Sequence, residues 1–318
     1  INLPHACKSG LCGSCKVIVT SGKVVHKKEF YETLSKNDIS NNLTLLCQAS
    51  PLTDKIEISI SKNLSENILI DKKVIPSEYF GEIILHRSIT PLVKEVKIAV
   101  SGKKDFFFKP GMNVEFIFPN IKNNRSYSIA NSPEESLKAK DNILRFLIIL
   151  HKPYGASDYV HNKLNIGDVI NFKGPYDSFK FKPNNKPILA LAGGTGIAPI
   201  YSIIKKLLLE KYSQPIMIVL SVRDRSEVLD MDLLFSLSKR FNNFAFKITL
   251  TREKGNQANR FMNGRLQEIL HRIYGDLSSH QVLIAGSKEF VEAAEKKAIE
   301  LKSIKNNIYK DIFLPADD

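Results

Sequence analysis

The four cysteines are the residues of this chain with the clearest chemistry, and all of them lie near its start. They are Cys7, Cys12, Cys15 and Cys47, separated in turn by four, two and thirty-one residues. Zinc sites usually consist of two short Cys-x-x-Cys pairs, which this spacing does not match. A redox-active pair at Cys12 and Cys15 leaves the other two thiols unexplained, and structural disulfides are rare in the cytosol. The spacing therefore favours a metal–sulfur cluster.

A cysteine, four residues, a cysteine, two residues, a third cysteine and then a distant one is the spacing that holds a plant-type [2Fe-2S] cluster. Gly10 and Gly13 permit a tight loop around such a cluster, and exposed N–H groups can point at its sulfurs. One iron would take two of the loop thiolates. The other iron would take the remaining loop thiolate together with Cys47.

The sequence around the cysteines resembles plant-type [2Fe-2S] ferredoxins over residues 3–16 and 45–49. The resemblance implies a β-grasp ferredoxin domain over residues 1–62, in which a β-hairpin and a helix would precede the cluster loop. That hairpin and helix are not in this sequence, so we expect a partial domain that is incomplete at its N-terminus. Strands near Lys16–Thr20 and Lys55–Ser61 would then lack part of their sheet.

The run Arg-Ser-Tyr-Ser at residues 125–128 has the side chains needed to hold a flavin nucleotide. In an extended strand, Arg125 and Tyr127 point one way and the two serines point the other. The guanidinium fork can clamp a pyrophosphate, and the tyrosine ring can lie against a flat heterocycle. The backbone and hydroxyl near Ser128 could hydrogen-bond the redox-active nitrogen of the flavin. Taken alone, the same run is typical of an ordinary amphipathic strand.

A second group of small residues follows at Gly155, Ala156 and Ser157. N–H groups and a hydroxyl at the start of a short helix opened by Ser157 would face a phosphate, although a plain N-capped helix has the same residues. Short β-rich runs separated by turn residues predict a small antiparallel β-barrel over residues 76–181. The runs are Tyr79–His86, Val93–Val100, Asn113–Phe118, Arg125–Ala130 and Leu144–Leu150.

Together these motifs resemble the ferredoxin-NADP reductase superfamily, and the resemblance implies FAD held by a six-stranded barrel. The residues that match its flavin and pyrophosphate motifs are Arg125, Tyr127, Ser128, Gly155 and Ser157. Asp177 is a departure, because relatives usually have a glycine at that place. We expect a local change of loop there, without loss of flavin.

The last part of the chain begins with a strand, a glycine turn and a helix. The apolar run Ile188–Ala192 is consistent with a buried parallel strand, and Ile200–Leu209 has helical periodicity. Between them stand Gly193, Gly194, Thr195 and Gly196. This arrangement seats a pyrophosphate on a helix N-terminus, but it is neither Gly-x-Gly-x-x-Gly nor a Walker loop. Strands and helices then alternate to the end of the chain, which predicts a doubly wound α/β parallel sheet that binds NAD(P) over residues 182–318.

Ser221 and Arg223 end the second strand of this sheet, where the adenosine ribose of a dinucleotide would sit. They could equally be ordinary polar residues of a loop. Arg223 has no clear second phosphate-binding cluster beside it in the sequence, which favours NADH over NADPH.

The glycine turn is also the superfamily's own sequence, and the resemblance implies that Thr195 and Pro199 shape the approach of the nicotinamide to the flavin. Gly286 falls beside the nicotinamide, and Asp311 and Phe313 fall on the C-terminal segment near the flavin. Ala285 replaces a cysteine that is common in the family. We expect this replacement to affect the efficiency of hydride transfer but not its existence.

The charge and hydrophobicity of the chain set limits on its partners and location. The net charge is +13, and pairs of lysines are spread along the sequence. Most of these lysine pairs are interpreted as solvated surface residues. The alternative is that they form a positive docking surface for an acidic electron-accepting protein. No basic and aromatic module for nucleic acid is present.

No apolar stretch approaches the ~18 residues of a membrane span, and no signal peptide is present, so we expect a cytoplasmic protein. The polar segment 63–75 reads as a linker.

The predicted function is an NAD(P)H-dependent iron–sulfur flavoprotein reductase, an oxidoreductase with Tyr127, Ser128 and Thr195 as its catalytic residues. Electrons would pass from NAD(P)H to FAD, then to the [2Fe-2S] cluster, then to a partner protein. Reductase components of aromatic-ring oxygenases and the reductase acting on CDP-6-deoxy-glucoseen share this domain order, and the cluster loop favours the latter. A cluster-bearing binding or regulatory module with a silent reductase half is the alternative of another class, motivated by Ala285 and Asp177. The sequence leaves the oligomeric state open.

Overall fold

A computed structural model describes most of the chain. The described residues are 10, 15–26, 33–59, 76–101, 106–119, 121, 124–137, 142–151, 153, 155–253 and 260–314. Two of the predicted cluster ligands, Cys7 and Cys12, lie outside these residues, as does the predicted linker 63–75.

The N-terminal part, here called the ferredoxin region, forms two small antiparallel sheets. Its elements are β1 (Lys16–Ser21), β2 (Val24–His26), α1 (Lys36–Ser40), β3 (Leu43–Leu45), β4 (Ala49–Pro51) and β5 (Glu57–Ser59). The strand order is β3-β1-β5 in one sheet, and β2 pairs with β4 in the other. A capping box fixes the start of α1, because Ser35 and Asp38 exchange backbone-to-side-chain hydrogen bonds of 2.9 and 3.1 Å. Lys16 then ties this helix to β1 through Asp38, at 3.0 Å.

The middle part is a six-stranded antiparallel barrel, as the sequence predicts. Its strands are β6 (Ser77–Ser88), β7 (Val93–Ser101), β8 (Asn113–Ile117), β9 (Arg125–Ser128), β10 (Ile143–Ile149) and β11 (Val169–Tyr176). Their order is β10-β7-β6-β11-β8-β9, and the backbone N–H of Ala130 donates to the carbonyl of Arg145 at 2.8 Å between the two end strands. Fully buried aromatic rings fill the interior, with Phe116 and Phe146 edge to face at 4.9 Å. Two short helices belong to it, α2 (Pro133–Leu137) and α3 (Ala156–Asn162).

The C-terminal part, here called the nucleotide half, is a parallel six-stranded sheet with helices on both faces. Its strands are β12 (Ile188–Gly193), β13 (Ile216–Val222), β14 (Phe244–Leu250), β15 (Phe261–Asn263), β16 (Gln281–Ser287) and β17 (Ile308–Phe313). The order β15-β14-β13-β12-β16-β17 reverses direction at β12, which confirms the doubly wound prediction. The helices are α4 (Ile197–Leu209), α5 (Met231–Arg240), α6 (Leu266–Ile269) and α7 (Lys288–Glu300).

The sequence predictions differ from this sheet at its edges. They did not include β15 and β17, which are the two edge strands of the sheet. The alternation of strands and helices predicts a helix from about Gly264, but only the four-residue α6 forms there, followed by a 3-10 turn. Gly264 has a φ of +116°, a backbone conformation that glycine adopts more readily than other residues, and it lies before the helix.

The barrel and the nucleotide half share one hydrophobic core. Val93, Ala130 and Leu147 of the barrel belong to the same buried cluster as Ile197 and Tyr201 of α4. The hydroxyl of Ser202, also on α4, donates to the carbonyl of Asn131 at 2.8 Å. Among the described residues, no helix combines the length and the apolar character needed to cross a membrane.

Candidate functional site

Two of the four predicted cluster ligands lie together in the ferredoxin region. Cys15 precedes β1 and is 3% exposed, and Cys47 follows β3 in a turn. Their sulfurs are 3.3 Å apart, and the N–H of Leu46 donates to the carbonyl of Cys15 at 3.1 Å. Two sulfurs held about 2.3 Å from one tetrahedral metal ion lie about 3.8 Å apart. The pair is therefore compatible with one iron held by Cys47 and a loop thiolate, and Cys15 would be that loop thiolate.

The predicted flavin motif forms β9, the end strand of the barrel, here called the flavin strand. Tyr127 packs its ring edge to face on Phe116 at 5.1 Å. Its hydroxyl is buried and has no hydrogen-bond partner among the described residues, and burial raises the pKa of Tyr127. A buried phenol with unused hydrogen-bonding capacity is the kind of group that a bound ligand satisfies. This orphaned hydroxyl next to Arg125 fits the expected flavin nucleotide.

Gly155, Ala156 and Ser157 lie at the start of α3, with one correction to the sequence prediction. Gly155 is the N-cap residue and Ser157 is already inside the helix, where its hydroxyl accepts the N–H of His151 at 3.2 Å. In the described part of the chain no side chain caps this helix. The first-turn N–H groups are therefore compatible with the predicted anion contact.

Histidine side chains anchor α3 to the barrel. Nε2 of His161 lies 2.9 Å from the carbonyl oxygen of Ile148, and Nε2 of His86 lies 2.7 Å from that of Val160. Burial lowers the pKa of both His161 and His86, which favours their neutral form. The Gly155–Ser157 segment is thus held by contacts that the sequence did not indicate.

The glycine turn, Gly193–Gly196, packs directly against the end of β16. A Cβ atom on Gly196 would be 2.1 Å from the carbonyl oxygen of Ala285, and one on Gly193 would be 2.8 Å from the ring of Phe290. Gly194 has a φ of +51° and faces open space. Glycine is needed here for close approach to the neighbouring strand and for a left-handed conformation, as at a nucleotide-binding turn. Thr195 is buried at 8% exposure.

The remaining predicted residues of the nucleotide half surround this turn. Pro199 lies buried in the first turn of α4. Gly286 and Phe313 lie on neighbouring strands, since Gly286 pairs with Ile312 and Ser287 with Phe313. The hydroxyl of Ser128 on the flavin strand donates to Oδ2 of Asp311 on β17 at 3.4 Å. The flavin strand, the glycine turn and the ends of β16 and β17 therefore meet at one place.

Ser221 and Arg223 lie at the end of β13, at the predicted ribose edge of the sheet. Ser221 is in register with Gly193 and is 9% exposed. The Nε of Arg223 donates to Glu227 at 2.8 Å, and the Nε of Arg225 donates to Glu253 at 3.1 Å. Sequence reasoning missed both carboxylates. The four-residue spacing could have indicated Glu227, but no local signal joins Arg225 to a residue twenty-eight positions away.

Asp177, the departure from the family pattern, sits in a turn after β11. Its Oδ1 accepts the backbone N–H of Lys180 at 2.9 Å. Ser178 beside it accepts a hydrogen bond of 3.0 Å from the side chain of Asn113. The aspartate thus stabilises its own turn.

Comparison with known proteins finds two families in the chain. Residues 1–52 match the 2Fe-2S iron-sulfur cluster binding domain, and residues 190–296 match the oxidoreductase NAD-binding domain. The chain is an iron–sulfur oxidoreductase with an NAD-binding half. It is similar to the phenol hydroxylase P5 protein of Acinetobacter pittii, with 26% identity covering 99% of this chain and 87% of that protein.

Two further likenesses extend over nearly the whole reductase. The reductase component 1 of terephthalate 1,2-dioxygenase from Comamonas is 25% identical, over 98% of this chain and 89% of that protein. Among solved structures, the cytochrome P450 reductase GcoB of Amycolatopsis has a TM-score of 0.81 at 23% identity, covering 99% of this chain and 92% of that one. The latter likeness shows a common fold for the three parts of the reductase.

Proposed function

We propose that this reductase is the electron-transfer component of an oxygenase system. Electrons enter from NADH, pass through FAD to the [2Fe-2S] cluster, and leave to a partner protein. The observation that carries the proposal is the contact between Ser128 and Asp311, because it joins the flavin strand to the nucleotide half beside the glycine turn.

FAD, when bound, supplies the conversion that this chain needs, because nicotinamide gives up two electrons together and an iron–sulfur cluster accepts one at a time. In the proposal, Arg125 and the start of α3 at Gly155–Ser157 would hold the pyrophosphate of FAD, and the unused hydroxyl of Tyr127 would donate a hydrogen bond to the bound flavin nucleotide. Ser128 and Thr195 border the place where the nicotinamide meets the flavin. Little proton transfer is required of the protein, so no acid–base pair is assigned.

The relatives change one part of the sequence prediction. The cluster loop favoured a partner in CDP-deoxysugar synthesis, but the similar proteins are named as components of a phenol hydroxylase and of a terephthalate dioxygenase, and others as reductase components of propane 2-monooxygenase. They do not support the deoxysugar partner. The oxygenase alternative therefore becomes the proposal.

The partner is proposed to be acidic at its docking face. A chain with a net charge of +13 attracts an acidic protein over distances of up to about 10 Å at moderate salt. The same field speeds encounter without fixing the identity of the partner.

The test compares two electron acceptors. Ferricyanide takes electrons directly from flavin, whereas cytochrome c is expected to need the cluster. The purified holoenzyme should reduce both with NADH. Cys47→Ser removes one of the two thiolates found together, so cytochrome c reduction and the electron paramagnetic resonance signal of the reduced cluster should both be lost. Ferricyanide reduction should change by less than about twofold.

Ser40→Ala, an exposed substitution on α1 of the same region, is the matched control and should leave both activities unchanged. Reduction of neither acceptor by a protein that contains FAD would favour the silent-reductase alternative. Equal loss of both activities in Cys47→Ser would contradict the proposed electron path.

A further inference from the structure

A buried charged cluster joins the barrel to the nucleotide half at a second place. Arg145 on β10 donates from Nη1 to Oδ2 of Asp230 at 2.9 Å, and its Nη2 bonds the other oxygen of the same carboxylate. Its Nε donates to Oε1 of Glu95 on β7 at 2.6 Å. The three side chains are 9%, 5% and 4% exposed in that order. Asp230 is the only one of the three that belongs to the nucleotide half.

The conformation of Asp230 shows that its carboxylate serves this contact and not its own helix. Asp230 occupies the N-cap position of α5, where an aspartate usually accepts an N–H of the first turn. Within the described chain it makes no such hydrogen bond, and its φ is +55°, in the left-handed region that L-residues rarely adopt. The carboxylate instead extends to the guanidinium of Arg145.

The backbone of Arg145 contacts the residues that follow the flavin strand. Its carbonyl accepts the N–H of Ala130 at 2.8 Å, and its N–H donates to Oδ1 of Asn131 at 2.9 Å. The carbonyl of Asn131 accepts the hydroxyl of Ser202 on α4, the helix that starts at the glycine turn. Arg145 therefore contacts the flavin strand's continuation through its backbone and the nucleotide half through its side chain.

Apolar packing does not fill the junction at this place. A cleft of about 570 Å³ lies between the two parts, and Arg145, Asp230, Glu95 and Tyr201 are among the residues that line it. A bidentate arginine–carboxylate pair fixes both the distance and the angle between the two elements that carry it. A non-directional apolar contact does not. Buried ion pairs add little net stability, which points to orientation of the two parts as the role of this one.

We infer that Arg145 and Asp230 are positioning residues that set the nucleotide half, and with it the nicotinamide, against the flavin strand. The inference rests on the proposed function. Transfer of hydride from nicotinamide to flavin falls steeply when the two rings are misplaced by about 1 Å. Loss of the pair should therefore slow that step while leaving each cofactor bound by its own residues.

The test uses Asp230→Asn in the full-length holoenzyme, which keeps the side-chain size and removes the charge. Reduction of the flavin by NADH, followed anaerobically by stopped flow, should become at least about tenfold slower. FAD content and the dissociation constant of NAD⁺ should stay within about twofold, and deuterium at the transferred position should still slow the step. Hydrogen exchange of the cofactor-free protein should rise in peptides covering 128–132 and 229–234.

Two further variants separate positioning from general stability. Arg145→Lys keeps the positive charge but loses the two-pronged guanidinium group, so it should show the same slow reduction of flavin by NADH. If Asp230→Asn does not fold, Arg145→Lys tests the inference in its place. Glu295→Gln breaks the Lys310–Glu295 pair of 2.7 Å inside the nucleotide half and should have no effect on the rate.

Flavin reduction within about twofold of the wild type in both junction variants would overturn the inference. A slow rate that merely parallels loss of FAD or of NAD⁺ binding would overturn it too. Failure of the proposed function looks different, because the wild-type flavin itself would then not be reduced by NADH.

Discussion

Arg223 stands where an adenosine ribose is expected, yet carboxylates already use the hydrogen-bond donors around it. Glu227 accepts both the side chain of Arg223 and its backbone N–H, the latter at 3.2 Å. Glu253 does the same for Arg225, taking its backbone N–H at 2.6 Å. A 2′-phosphate would have to displace these carboxylates, whereas a ribose hydroxyl can donate to one of them. We therefore expect NADH to be the better donor.

Glu227→Gln should weaken this preference. The substitution removes the negative charge and releases the Arg223 guanidinium for a phosphate, so kcat/KM for NADPH should rise relative to NADH by about tenfold, or about 1.4 kcal/mol. Binding of 2′-phospho-AMP relative to AMP, measured by calorimetry, should shift in the same direction. Glu210→Gln, which removes the charge of the exposed Glu210 from its i,i+4 pair with Lys206, is the control. An unchanged NADPH to NADH ratio in Glu227→Gln would contradict this account.

Single residues differ in how far the sequence could predict them. The spacing of the four cysteines predicted a cluster in which Cys47 shares an iron with one loop thiolate, but only the fold brings Cys15 to Cys47. The family resemblance placed both Ser128 and Asp311 near the flavin, but no local signal indicated a hydrogen bond between residues 183 positions apart. Arg145 and Asp230 carried no signal, since neither is part of a motif and only the packing of β10 against the start of α5 brings them together.

The glycine turn shows how the packing of one element against another restricts the residues at a position. The strand–turn–helix pattern predicted a nucleotide-binding turn, and the structure adds that the turn is pressed against β16. Ala285 is fully buried there and pairs with Ala192 on one side and Asp311 on the other. Ala285, which replaces the cysteine common in the family, is thus well packed at the end of β16. The edge strand β15 escaped prediction because three residues give too little periodicity, and β17 because Lys310 and Asp311 interrupt its apolar residues.

Gly196→Ala should disturb both the turn and β16. The added methyl carbon would lie 2.1 Å from the carbonyl oxygen of Ala285, so backbone must move on one side or the other. We expect a loss of about 1–3 kcal/mol in the free energy of unfolding and a raised KM for NADH. Gly275→Ala is the matched control, since nothing lies within 4 Å of its added carbon. Denaturant unfolding measures the free energy of unfolding of both variants, and NADH titration measures their KM. Equal stability of the two variants would show that the turn is not tightly packed.

At the scale of the whole molecule, the net positive charge predicts how the rate of electron transfer to a partner protein depends on salt. The net charge is +13, and surface charges separated by more than a Debye length are screened as salt is added. Electron transfer to an acidic protein should therefore slow with salt, while transfer to cytochrome c, which is itself basic, should quicken or stay level. With an acidic [2Fe-2S] ferredoxin as probe, the second-order rate constant should fall about tenfold between low salt and about 0.5 M.

The site of that attraction is expected near the cluster, because electrons leave the reductase there in the proposed path. Lys23 is exposed in the turn between β1 and β2 of the ferredoxin region, and Lys239 is exposed on α5 of the nucleotide half. Each substitution to glutamate changes the net charge equally, so a purely global field predicts equal losses of rate. Local docking predicts that Lys23→Glu slows reduction of the ferredoxin more than Lys239→Glu does at low salt, with the difference vanishing at high salt. Salt effects of the same sign for both acceptor proteins would contradict an acidic docking partner altogether.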